Sequence, residues 1–153
     1  MRVLFVCLGN ICRSPMAEGI FRQVARDRQL DVEIDSAGTS NWHIGEPPDT
    51  RGQERLLQDG IDISGLRGRQ VSGRDFTGFD IIVAMDDDNL MKLRRLAGTE
   101  RAHKVQKFLD FVPGEEGGNV PDPYYGGPDG FDHVFDLICR ASNGLADHIQ
   151  SRG

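Results

Sequence analysis

The 153-residue sequence contains no apolar run of membrane-spanning length. Its early apolar run, Val3 to Leu8, breaks at Gly9-Asn10 and is soon followed by Arg13, far short of the ~20 residues that a spanning helix needs and short for a secretory signal core. A soluble, cytoplasmic location with no membrane association is the expectation. Excess positive charge is also missing: 18 Lys and Arg stand against 24 Asp and Glu, a formal net charge of -6. A general nucleic-acid binder needs the opposite balance to neutralise phosphates, so no nucleic-acid partner is expected. An even set of cysteines is absent, since there are three. A disulfide framework is therefore not indicated, and reduced thiols suit a cytosolic chain. His43, His103, His133 and His148 have no paired spacing with cysteine or carboxylate that resembles a metal site, so neither a metal nor a cofactor is expected.

What is present has a globular balance, with 38% hydrophobic and 27% charged residues. The length suits one domain over 1–153 with a single core. Arg2 to Cys7 reads as a buried strand, and from Ser14 the apolar spacing becomes helical through Met16, Ile20, Phe21 and Val24. Ser14-Pro15 resembles a helix start, with Ser14 as cap. Val32 to Ser36 reads as a second strand, and a helix from Thr50 to Asp59 is ended by Gly60. Asp80 to Ala84 reads as a third strand. Asp86, Asp87 and Asp88 then place negative charge at the start of a helix carrying Leu90 and Leu93, a capping pattern rather than a metal site. A fourth strand is expected near Lys104 to Phe108, then a long Gly/Pro loop from Val112 to Gly130 and a last amphipathic helix from Phe131 to Ile149. This alternation predicts an α/β fold: a four-stranded parallel sheet with helices on both faces, right-handed crossovers, and a phosphate-binding loop between the first strand and the first helix. Ligand sites in such sheets lie beyond the carboxyl ends of the strands, so distant loops can meet there.

Cys7-Leu8-Gly9-Asn10-Ile11-Cys12-Arg13-Ser14 sets a cysteine at a strand end, an arginine six positions later and a helix start directly after. Backbone N–H groups from Leu8, Gly9, Asn10, Ile11, Cys12 and Ser14 can turn inward there as an anion nest, reinforced by the positive helix end. Gly9 and Asn10 are residue types that enter unusual backbone conformations. Arg13 can grip two phosphate oxygens with its planar fork. The same positive field favours the thiolate of Cys7, which can displace an ester oxygen from phosphorus and form a phosphocysteine. The leaving oxygen needs a proton. Asp122 is the candidate acid, held between Pro121 and Pro123 and followed by Tyr124 and Tyr125, aromatics able to wall a pocket.

Cys7 to Pro15, Asp35-Ser36-Ala37-Gly38-Thr39-Ser40 and Asp122-Pro123-Tyr124-Tyr125-Gly126 resemble the motifs of the low-molecular-weight protein tyrosine phosphatases, and the likeness runs through nearly the whole chain. That resemblance implies Cys7 as nucleophile, Arg13 as phosphate clamp and Asp122 as general acid and base. It also implies a hydrogen-bond network of Asn10, Ser14 and Ser36 that holds the loop in shape, and a pocket entrance lined by Trp42, Tyr124 and Tyr125. The implied partners are phosphotyrosine proteins, met by a monomer or a weakly self-associating chain. The sequence departs from the eukaryotic pattern at Leu66, where some members carry a histidine in the network.

Other readings attach to the same residues. Cys12 reads equally as core packing and as a reserve thiol that captures oxidised Cys7, while Cys139 reads as packing in the last helix. A thiol-dependent arsenate reductase would need further redox cysteines on a mobile segment. An arginine phosphatase of the same fold is expected to carry threonine where Ile11 stands. A phosphotyrosine-binding module would not need Cys7, Arg13 and Asp122 together, and a nucleotide site would favour a GxGxxG or GxxxxGK[ST] loop, which the first loop is not.

Overall fold

Alternating side chains along the first strand explain the layered architecture. In the computed structural model, which describes residues 1–124, 127 and 129–152, β1 (Arg2–Cys7) points Val3, Phe5 and Cys7 to one face and Leu4 and Val6 to the other, as a period of two requires. Both faces are apolar because both are covered. On the first lie α1 (Arg13–Asp27) and α5 (Asp129–Arg152), packed together through Met16, Ile20, Phe21, Val134, Ile138 and Leu145. On the second lie α3 (Gly73–Gly78) and α4 (Asp87–Ala97), contributing Phe76, Leu93 and Ala97.

The sheet also contains β2 (Glu33–Gly38), β3 (Ile81–Ala84) and β4 (Val105–Lys107) in the order β2-β1-β3-β4, every neighbouring pair parallel. The expected four-stranded parallel sheet with helices on both faces is therefore the observed one. Parallel order sends all four strand ends to one edge, so the loops after β1, β2, β3 and β4 share it. Helix α2 (Thr50–Leu57) follows the loop after β2 and is capped by Asp49, whose carboxylate accepts from the Arg51 N–H at 2.9 Å. Asp86 caps α4 in the same way, accepting from the Asn89 N–H at 2.8 Å, as the acidic run predicts.

Some local expectations differ. Helix α1 starts at Arg13 with Cys12 in the capping position, and Ser14 is not its cap, because the Ser14 hydroxyl is engaged with Cys7, Asn10 and the Ala37 carbonyl. Helix α3 had no counterpart in the sequence reading; the Ser72 N–H is held by the Asp75 carboxylate at 2.8 Å, which closes the first turn of a helix too short to show periodicity. The loop after β4 opens with a short 3₁₀ turn at Phe108–Phe111.

Candidate active site

The loop between β1 and α1 closes around the sulfur of Cys7. Asn10 adopts a left-handed backbone with φ of 59°, which Asn tolerates better than most residues. This turn points its N–H at Cys7 Sγ, 3.3 Å away. Gly9, the other residue type suited to unusual backbone conformations, does not have a positive φ. Its need for glycine is space, since a Cβ there would lie 3.0 Å from His43 Cδ2. Gly38 at the end of β2 has a similar reason: its Cβ would lie 2.9 Å from the Leu8 carbonyl oxygen.

Behind the sulfur is a buried polar cluster. Ser14 Oγ lies 3.1 Å from Cys7 Sγ, and Asn10 Nδ2 donates to Ser14 Oγ at 2.8 Å and to Ser36 Oγ at 3.1 Å. The Arg69 N–H donates to Asn10 Oδ1 at 3.0 Å, and Ser36 Oγ donates to Glu18 Oε1 at 2.7 Å. The structure thus brings Asn10, Ser14 and Ser36 together. It adds Glu18 and the Arg69 backbone, which the sequence reading missed. A signal existed for Glu18: it lies four residues after Ser14, on the same helical face. Leu66 is half-buried against the core.

Arg13 is almost fully buried at 2% exposure. Its Nη1 donates to Asp86 Oδ2 at 2.6 Å and to the Val120 carbonyl at 2.9 Å. Nε is buried with no hydrogen-bond partner among the described residues, and Nη2 lies 3.7 Å from Asp122 Oδ2. One edge of the guanidinium is tied down and donors remain on the other, an arrangement suited to an oxyanion. Burial works against the Arg13 charge, but Cys7 and Asp86 outweigh it and hold the pKa above the ordinary arginine value. Asp86 therefore does more than cap α4, and its pairing with Arg13 was not legible in the acidic run.

Asp122 sits in an Asx turn, Oδ1 accepting from the Tyr124 N–H at 3.0 Å. Its stretch is fastened by the Val120 N–H to the Met85 carbonyl at 2.8 Å, at the end of β3. A cavity of about 100 Å³ results, lined by Cys7, Leu8, Gly9, Ile11, Cys12, Arg13, Trp42, His43, Asp122 and Tyr124. It is small beside the 300–1,000 Å³ typical of drug-sized ligand sites, so it suits one compact group better than a whole nucleotide. Trp42 and Tyr124 form exposed parts of the wall. His43 belongs to the wall too, its Nδ1 3.0 Å from Glu46 Oε2 and its ring 6.5 Å from that of Tyr124. Asn10, Ser14 and Ser36 stand behind the cavity rather than in its wall. Tyr125 lies outside the described residues. Burial, the charge of Cys7 and the carboxylates of Asp49 and Asp122 push the Cys12 thiol well up, against a smaller opposing effect of Arg51. Cys12 is thus held as the protonated thiol.

Among the described residues no group of three or more His, Cys, Asp and Glu is arranged to hold a metal, and no helix is long and apolar enough to cross a membrane.

Comparison with known proteins places this geometry. A family model described as low molecular weight phosphotyrosine protein phosphatase matches residues 2–153. A Bacillus subtilis protein named low molecular weight protein-tyrosine-phosphatase YfkJ is 47% identical over 150 residues, covering 97% of this chain and 95% of its own. A protein tyrosine phosphatase from Entamoeba histolytica superposes with a TM-score of 0.94 at 38% identity, over 99% of this chain and 97% of that one. A Drosophila arginine phosphatase superposes with a TM-score of 0.91 at 37% identity, over 97% and 98% of the two chains. With the match running through the cysteine loop, the sheet and the last helix alike, the chain belongs to the low molecular weight phosphotyrosine protein phosphatase family.

Proposed function

We infer that the protein hydrolyses phosphotyrosine in proteins, and small aryl phosphates, through a phosphocysteine on Cys7. The observation that carries this reading is the cavity itself: Cys7, Arg13 and Asp122 line one small space. In the first step the Cys7 thiolate attacks phosphorus, the bond to the ester oxygen breaks, and Asp122 gives its carboxyl proton to the leaving phenoxide. Arg13 and the loop amides hold the equatorial oxygens as negative charge spreads over them. In the second step water attacks the phosphocysteine and gives a proton back to Asp122, releasing phosphate and the thiolate. The Ser14 hydroxyl beside Cys7 Sγ and the Asn10 N–H favour that thiolate in both steps. No cofactor enters this chemistry.

Trp42 and Tyr124 supply the walls for an aryl group, each well-placed ring pair adding about 0.5–1.5 kcal/mol. The similarity to the Drosophila arginine phosphatase favours a second reading, phosphoarginine hydrolysis. Ile11 argues against it, because this cavity residue offers no hydrogen bond to a guanidinium. The substrates are phosphoproteins, met by a monomer or a weakly self-associating chain. Free thiols at Cys7, Cys12 and Cys139 suit a reducing compartment such as the cytoplasm. Cys12 in the same cavity is placed to trap oxidised Cys7 once it gives up the proton that burial holds on it. Steady-state kinetics on matched phosphotyrosine, phosphoserine and phosphoarginine peptides test the assignment, with phosphotyrosine expected to be hydrolysed fastest; a preference for either of the others overturns it. Cys7→Ser is expected to bind phosphate without turnover, and substantial turnover by that variant sinks the phosphocysteine route.

A further inference from the structure

Lys107 is a buried cation that the proposed reaction does not use. It ends β4 at 4% exposure, on the same face of the strand as Val105, which packs there with Leu93 and Ala97 of α4. Lysine is almost never buried this far unless its charge is paired. An apolar residue could fill the place as Val105 fills its own, and a buried ion pair often serves stability no better than apolar side chains of similar size. The position therefore calls for a reason other than packing.

The three protons of the ammonium group supply one. Nζ donates to Asp87 Oδ1 in the first turn of α4, to the Gly117 carbonyl at 2.6 Å and to Asn119 Oδ1 at 3.0 Å, so every donor is used. Asn119 Nδ2 lies 3.4 Å from the second Asp87 oxygen, and the amide cannot turn over without losing both contacts. Asp110, in the 3₁₀ turn after β4, accepts from the Lys107 N–H at 3.2 Å and from the Gly117 N–H at 2.8 Å. Gly117 itself has a φ of 82°, a left-handed backbone that glycine enters without strain. From this clamp the chain passes directly to the cavity. The Val120 N–H donates to the Met85 carbonyl, its carbonyl accepts from Arg13 Nη1, and Pro121, whose ring fixes its φ, is the one residue between Val120 and Asp122. We propose that Lys107 is a positioning residue for the acid: by tying Gly117 and Asn119 to the start of α4, it fixes where the stretch from Val120 to Asp122 leaves the sheet edge, and so keeps the Asp122 carboxyl group at the leaving oxygen.

This role rests on Asp122 being the proton donor, so the two are read separately. The ratio kcat/KM, which follows the first chemical step from free enzyme and ester, is measured on phenyl phosphate and nitrophenyl phosphate for the parent, Lys107→Met, Asp122→Asn and the double variant. Thermal melting and amide hydrogen exchange by mass spectrometry accompany it. Methionine keeps the length and has no donor, while Asp87 has a 69% exposed side chain and stays hydrated once unpaired, so the fold is expected to survive. Lys107→Met should lower kcat/KM on phenyl phosphate about tenfold, a part of the roughly 10²–10⁴ that a general acid supplies, with much less loss on nitrophenyl phosphate. Exchange should quicken in 117–124 and stay unchanged in 8–14. In the Asp122→Asn background Lys107→Met should cost nothing further on phenyl phosphate, because both act on one proton transfer. A full further loss in that background, or an unchanged kcat/KM on phenyl phosphate, overturns the role. An equal loss on both esters overturns it too, placing the effect on Arg13 through the Val120 carbonyl. Should Lys107→Met unfold, Asn119→Ala decides in the same cycle: it changes an exposed residue, leaves the ammonium paired with Asp87, and is expected to cost about threefold, the scale of one ordinary hydrogen bond. Asp122→Asn equally impaired on both esters is a separate failure, which removes Asp122 as proton donor and Lys107 as its positioning residue even where the exchange result stands.

Discussion

Asp122 and Ile11 touch the same cavity, and the proposed reaction asks different things of them. In the proposed role of proton donor, Asp122 matters in proportion to how badly the leaving group needs a proton. Asp122→Asn is expected to lower kcat about 10²–10⁴-fold on alkyl and unactivated aryl phosphates and far less on nitrophenyl phosphate. The check is a series of esters spanning leaving-group pKa; an equal loss across it would leave Asp122 only its Asx-turn role at Tyr124. In the same proposal Ile11 bears on selection rather than rate. Ile11→Thr puts a hydroxyl where a branched apolar chain stands, so the ratio of phosphoarginine to phosphotyrosine kcat/KM is expected to rise several-fold. An unchanged ratio on matched peptides would assign discrimination elsewhere, with the Trp42 and His43 wall next in line.

At the scale of elements, α1 serves both the site and the core. Its first turn carries Arg13 and Ser14 to Cys7, its second brings Glu18 beneath Ser36, and Ile20 and Phe21 bind it to the sheet and α5. Helix α5 carries no candidate site residue and acts as a clamp on this pair and on the 3₁₀ turn after β4. Gly144 marks the closest approach: a Cβ there would lie 2.1 Å from the Phe111 carbonyl oxygen and 2.8 Å from its carbon. Those atoms are backbone and cannot swing aside. Gly144→Ala gains about 1 kcal/mol in helix propensity, but overcrowding at the upper end of about 1–3 kcal/mol outweighs it. The melting temperature should fall by several degrees, at about 2–4 °C per kcal/mol for a chain of this size. Differential scanning calorimetry measures it; an unchanged or higher value would mean that the turn moves without cost.

For the whole molecule, alkaline pH is the informative variable. Burial holds the Cys12 proton in the folded state, first by desolvation and then through the nearby charges of Cys7, Asp49 and Asp122. The unfolded chain releases it near the ordinary thiol value of about 8.5. Above that pH the folded state binds the extra proton, so folding stability falls as pH rises, by up to about 1.4 kcal/mol per unit for one such thiol. Cys139 is shifted the same way by burial and adds to the slope. Denaturant unfolding at pH 8, 9 and 10 under reducing conditions should show this decline, and Cys12→Ser should flatten it because a serine hydroxyl does not titrate there. An identical slope in both proteins would place the alkaline loss at other groups.

Local features were legible in the sequence where local physics makes them. The apolar run of β1, the Cys7 to Arg13 spacing, the Asp86 cap and the alternation of strands with helices each depend on near neighbours, and each is found as read. Ser14 was misread for the same reason: beside Pro15 it has a cap's local signature, and only the approach of Cys7 and Ala37 redirects its hydroxyl. Asp86 meets Arg13 across 73 residues, and Arg69 meets Asn10 across 59. No periodicity encodes such pairs. They arise because parallel strands in the order β2-β1-β3-β4 deliver four loop ends to one edge of the sheet. The sequence by itself therefore determined which chemistry the chain carries, through the residue types in one short loop and their helix start. Only the tertiary structure decided how that loop is held, because a buried carboxylate and a backbone amide act on it through contacts that exist after the sheet has closed.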